Sequence, residues 1–172
     1  NNDAIIENQF YSPRILSIVH VDKNKISSAN NGSILDPYNT IAPSIPRVAS
    51  GGRIMVAAGT YNENVTINKS LTINGAQFGN DARTRSGSES IINGGGTNFT
   101  ITADIVTIDG FTLYGQAGSA AIVVIGGNTG ESVKNTIINN SGTTVSFNTS
   151  HTMFFTKFVN KILSAPTLVV KG

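Results

Sequence analysis

The sequence predicts an all-β chain whose short strands stack into a solenoid, and three observations carry that expectation. Asn64-Val65-Thr66-Ile67, then Leu71-Thr72-Ile73-Asn74-Gly75, returns as Asn98-Phe99-Thr100-Ile101, then Val106-Thr107-Ile108-Asp109-Gly110. Repetition over a few tens of residues marks units that each bury an apolar stripe against the next. Within each copy apolar and polar residues alternate, the period of a strand with one buried face. Gly (18) and Asn (20) are plentiful, and both tolerate the positive φ of tight corners between short strands.

The elements follow in order. Residues 1–14 are mixed and polar and read as an arm; Ile15 to Val21 reads as a strand and residues 22–36 as a loop. Pro37 to Ala49 places Ile41, Ile45 and Val48 at helical spacing, but Pro43 and Pro46 limit it to one or two short turns. Ser50-Gly51-Gly52 breaks the chain, Arg53 to Ala57 reads as a strand and Gly59-Thr60-Tyr61 as a corner. Between the two copies lies a polar excursion, Ala76 to Gly96, with a strand-like Ser90-Ile91-Ile92. Further strands are expected at Phe111–Tyr114, Ala120–Ile125, Val133–Ile138 and Val145–Phe147. Phe154, Phe155, Phe158, Val159, Ile162 and Leu163 then fall on one stripe at helical spacing, opposite Lys157, Asn160 and Lys161, until Pro166. That segment reads as a C-terminal capping helix, with further strands or a membrane-surface helix as its rivals. Thr167 to Val170 suits a final strand.

The 172 residues are expected to form one domain: an arm, strand and cap over 1–52, coils over 53–148, and a cap or tail over 149–172. Trp and Cys are absent, so the core is expected to be aliphatic, with neither disulfides nor thiolate chemistry. Charged residues make up 13% of the chain and the net charge is +2, with no basic cluster beside aromatics, which argues against a nucleic-acid partner. No apolar run reaches about 18 residues, so no transmembrane segment is expected. The chain begins at Asn1 with no signal-like stretch before the domain and reads as a mature or trimmed form.

A set of short words carries a resemblance. They are Asp36-Pro37-Tyr38-Asn39-Thr40-Ile41, Ser50-Gly51-Gly52-Arg53-Ile54, Ala57-Ala58-Gly59-Thr60-Tyr61-Asn62-Glu63-Asn64-Val65, Lys69-Ser70-Leu71-Thr72-Ile73-Asn74-Gly75 and Val106-Thr107-Ile108-Asp109-Gly110-Phe111. Over roughly residues 36–115 the chain resembles secreted bacterial right-handed parallel β-helix proteins of the pectin-lyase-like superfamily. It departs from them at Pro43 and Pro46, which interrupt the capping helix, and beyond about Phe147. The resemblance implies a right-handed parallel β-helix of about 4–5 coils, each of about 22 residues, stacked about 4.8 Å apart. Inward positions are then Ile54, Val56, Val65, Ile67, Leu71, Ile73, Phe99, Ile101, Val106, Ile108, Phe111 and Leu113, with the intervening threonines outward. An antiparallel β-sandwich is the rival fold.

Enzymes of that superfamily act on polysaccharides. A lyase needs a base for the proton α to a carboxylate and a cation, calcium or arginine, for the carboxylate itself. A hydrolase needs two carboxylates across the bond. The best candidate cluster is Asp81, Arg83, Arg85 and Glu89, in which the arginines would grip a uronate as bidentate donors; against it stands a solvated loop with local ion pairs. Asp109 precedes Gly110 and suits a corner, and nothing in the spacing makes Asp81 and Asp104 a calcium pair. No metal site is expected, and calcium enters only with the lyase alternative. His20 and His151 lie too far apart in the reading to share a triad. Gly126-Gly127-Asn128-Thr129-Gly130 lacks the lysine and helix of a phosphate loop. Tyr61 and Tyr114 are candidate sugar-stacking platforms beside Arg83 and Arg85. Six Asn-X-Ser/Thr sequons occur, a number that composition alone explains.

Two functions stay open. One is a non-catalytic secreted or cell-surface module that binds polysaccharide or serves as an adhesive or structural element, with self-association through the solenoid end. The other is a carbohydrate-active enzyme, lyase-like or related, or the N-terminal portion of one, which rests on fold analogy.

Overall fold

The computed structural model describes residues 14–26, 29–116, 118–140, 143–147 and 167–170. The expected C-terminal helix and His151 lie outside the described residues. The chain enters through β1 (Leu16–Val21) and a 3-10 helix (Ala42–Arg47), then lays down strands in threes. The first triplet is β2 (Val48–Val56), β3 (Gly59–Tyr61) and β4 (Val65–Ile67). The second is β5 (Leu71–Asn74), β6 (Ser90–Ile92) and β7 (Phe99–Ile101). The third is β8 (Val106–Asp109), β9 (Phe111–Gly115) and β10 (Ile122–Val124). The fourth is β11 (Ser132–Lys134), β12 (Ile137–Asn140) and β13 (Thr143–Phe147), and β14 (Thr167–Val170) follows.

Each member of a triplet joins a different sheet. The first sheet runs β1-β2-β5-β8-β11, the second β3-β6-β9-β12 and the third β4-β7-β10-β13-β14, and every strand pair is parallel. The near-copies of the sequence are stacked neighbours in perfect register. Val65-Thr66-Ile67 lies on Phe99-Thr100-Ile101, and Leu71 to Asn74 lies on Val106 to Asp109. Register is fixed because a one-residue slip would turn every buried side chain outward. All twelve inward positions expected from the alternation are buried, none more than 3% exposed. Phe99 and Phe111 meet edge to face, centroids 5.6 Å apart at 76°, a favoured aromatic geometry.

The structure corrects several details. The Ser50–Gly52 break is the middle of β2, which bulges there: Leu16 pairs with Val48 but Ile18 with Arg53, and Gly51 turns at φ +74°. The stack therefore begins at β1, ahead of the expected coil start at residue 53. Gly59-Thr60-Tyr61 is a strand rather than a corner. Val133–Ile138 is two strands split at Asn135, φ +44°. The cap is 3-10 rather than α because Pro43 and Pro46 bring no N–H to a ladder. Its first donors are instead taken by Glu63, whose Oε1 accepts the Ile41 N–H at 2.7 Å and Oε2 the Ala42 N–H at 3.0 Å. Ile41 and Ile45 bury against the near end of the core. Thr112, expected outward, is only 6% exposed because the excursion covers it.

Candidate functional site

The excursion is a strap laid down one corner of the stack, where the first sheet hands the chain to the second. Its path depends on two stacked glycines. A Cβ on Gly75 would come within 2.4 Å of the Gly110 carbonyl oxygen, and one on Gly110 within 2.1 Å of the Phe78 nitrogen. Only bare backbone leaves room there, so both repeat copies end in Gly. The Gly79 N–H then donates to Asp109 Oδ1 at 3.2 Å, which also accepts Asn135 Nδ2 at 2.9 Å. Asp109 thus ties the strap to the two triplets beyond it, in addition to making its corner.

The four charged residues of the strap are two separate pairs. Arg83 grips Asp81 through Nε and Nη2, the shortest contact 2.7 Å, with both side chains exposed. Arg85 grips Glu89 at 2.9 and 2.8 Å, and its side chain is 2% exposed. Arg85 also donates to the carbonyls of Phe111, at 2.9 Å, and Asn135, while Glu89 Oε2 accepts Thr112 Oγ1 at 3.1 Å. Arg85 therefore closes a corner and offers no free fork to a substrate carboxylate. Asp81 and Asp104 stand at different corners, and Asp104 accepts the Thr129 N–H at 2.7 Å. Among the described residues no three His, Cys, Asp or Glu side chains gather as a metal site, and no helix is long and apolar enough to cross a membrane.

The two tyrosines part company. Tyr61 is 1% exposed; its hydroxyl donates to the Ala57 carbonyl at 2.9 Å and accepts the Lys23 N–H at 3.3 Å. Burial pushes that hydroxyl up to about 12, against the Lys23 N–H and with the charges of Asp22 and Glu63 adding to the rise. Its ring has no face left for a sugar. Tyr114 is 40% exposed near the end of β9.

The concave surface lies elsewhere, on the outer face of the first sheet. Val19 and Val21 point inward, so His20 points out; Ile54 and Val56 point inward, so Met55 points out beside it, in register. Asn74 stands next in that row and donates Nδ2 to Met55 Sδ at 3.7 Å. Above this floor the loop after β1 supplies Asp22, Lys25, Ile34 and Pro37 as one wall, and the strap supplies Ala76 and Phe78 as the other. They enclose a cleft of about 410 Å³. The loop is braced: Lys25 Nζ donates to the Ile34 carbonyl at 2.9 Å, and Asn39 Nδ2 to those of Asp22 and Lys25. Two positions back along the same strands a second hollow, about 380 Å³, opens over Ile18, Arg53 and Thr72.

Comparison with family models, curated proteins and solved structures finds no match to this chain. The site therefore stands on its own geometry. His20 has no hydrogen-bond partner for either ring nitrogen among the described residues, and partial burial holds its pKa below the ordinary 6.5. It is neutral at pH 7, with one nitrogen to donate and one to accept. Phe78 is 44% exposed. From sequence alone, His20 is weighed only as a partner of His151 in a triad, and Phe78 is not singled out. The available signals were the outward parity of His20 and Met55 between buried neighbours and a lone Phe in an otherwise polar excursion.

Proposed function

We propose that this chain is a right-handed parallel β-helix module of the pectin-lyase-like kind, secreted or borne on a cell surface, that holds polysaccharide without turning it over. The cyclic use of three parallel sheets, four times in succession, supports the winding. The extracellular setting rests on the resemblance over residues 36–115. One observation carries the binding role: two hollows in series along the outer face of one sheet, the His20–Met55 cleft and the Ile18–Arg53 hollow. Residues two apart on a strand are about 6.6 Å apart, so the hollows suit a ligand that extends beyond one ring. Pockets of this size are typical of small-molecule sites. The enzyme alternative is weaker because Arg85 is buried in a corner and both strap carboxylates are already paired.

The test is a glycan array probed with the whole chain, followed by incubation of any bound polysaccharide with and without calcium. Retention of a defined glycan with no unsaturated or shortened product is the expected result. Turnover would move the protein to the enzyme class, and silence across the array would leave a structural role.

A further inference from the structure

We infer that the cleft between Phe78 and Ile34 is a subsite for a single neutral pyranose ring, a specificity that rests on the polysaccharide-binding function proposed above. Three features of the cleft lead there.

The first is an aromatic wall carried on a pinned backbone. Phe78 sits in a turn closed by its own N–H on the Gly75 carbonyl at 3.1 Å, and the next residue is pinned by the Gly79 bond to Asp109. The backbone at Phe78 also lies tight against Gly110. The backbone that carries the ring is thus fixed before any ligand arrives, and an anchored apolar group loses less freedom on binding than one on a loose loop. The C–H face of a pyranose is the apolar part of a sugar and matches it, with Met55 and Ala76 completing the surface.

The second is the polar equipment of the floor and rim. The His20 imidazole is half withdrawn from water and has no protein partner among the described residues, so a ligand hydroxyl can pair with it in either direction. The Asp22 carboxylate, which takes the Asn24 N–H on Oδ1 at 2.9 Å, adds acceptor oxygens. Groups that both donate and accept suit hydroxyls.

The third is charge. One carboxylate and one ammonium line the cleft, and Lys25 is already bound to the Ile34 carbonyl. A uronate carboxylate placed here would meet Asp22 and find no arginine fork in the lining: Arg83 and Arg85 are engaged by Asp81 and Glu89, and Arg53 lines the neighbouring hollow. The cleft therefore favours an uncharged ring over an acidic one.

The test uses the full chain and calorimetric titration with methyl glycosides of neutral hexoses and of the matching uronic acids, beside the glycan array. The expected result is saturable binding of a neutral glycoside, weakened about tenfold by Phe78→Ala and also by Ile34→Asp, with Thr66→Ala, on the outer face of the third sheet, binding as the parent does. Circular dichroism and melting of each variant separate a lost contact from a lost fold, and the two variants sit on opposite walls. A uronate that binds more tightly than its neutral counterpart overturns the specificity while leaving the module intact. Array binding that survives both Phe78→Ala and Ile34→Asp unchanged overturns the subsite but not the function. No binding to any carbohydrate overturns both.

Discussion

Ile105 holds a β-branched side chain at φ +55°, 65% exposed, on the turn between β7 and β8. That region is unfavourable for L-residues and worst for branched ones. Neighbours hold it there: its N–H donates to the Thr129 carbonyl at 2.9 Å, and its own carbonyl accepts Ser70 Oγ at 3.2 Å. Asn tolerates the same conformation and keeps both backbone bonds. Ile105→Asn is expected to stabilise the fold by about 1 kcal/mol, read as a higher urea midpoint; a lower midpoint would show that the exposed side chain packs on something that matters. His20 argues in the opposite direction. Burial lowers its pKa in the fold, so the unfolded chain takes up a proton first as pH falls below 6.5. Wherever the unfolded state binds more protons, stability falls with falling pH. The charged groups of the cleft that it faces are Asp22 and Lys25. The melting temperature is expected to drop between pH 7 and pH 5 by more in the parent than in His20→Gln, and equal drops would remove His20 as the source.

At the scale of elements the strap is the least legible part of the sequence. Its four charges invited one cluster, yet the structure divides them between an exposed pair and a buried clamp. Arg85 finds its other partners at the carbonyls of Phe111 and Asn135, and a backbone carbonyl leaves no mark on sequence. Removing the guanidinium leaves Glu89 poorly compensated. Arg85→Met is expected to cost about 2–3 kcal/mol, the lower side of a broken buried pair because Glu89 keeps some water. Arg83→Ala should leave the denaturation midpoint where it is, because its pair lies in solvent; equal losses in the two variants would refute the division. The strands were far more legible. Period-two alternation names the inward residues because burying one face of a sheet dictates it. The same rule places Gly59 and Tyr61 on one side and Thr60 on the other, so the burial of Tyr61 was readable had Gly-Thr-Tyr been taken as a strand.

For the whole molecule, the repeat identified stacked neighbours because in-register packing demands like residues in like places. It said nothing of the cleft, whose parts come from β1, the loop behind it, β2 and the strap, none of which repeats. Binding surface in this chain arises where unrepeated segments meet beside the repeated part of the stack. Long-range pairing of this kind makes every sheet depend on residues far apart in the chain, as Thr107 with Ser132 and Ile122 with Val145 show. Such topologies fold slowly relative to locally connected ones.

The corner that carries the strap is crossed by Gly110 alone between β8 and β9, but by Gly75 to Glu89 between β5 and β6. The strands on either side keep the same register in both cases. The entropy of closing a loop grows only with the logarithm of its length, so the stack is nearly indifferent to how much chain is added at that point. Novelty can therefore accumulate at this corner by insertion, one lineage or one graft at a time, while the sheets beneath are inherited unchanged.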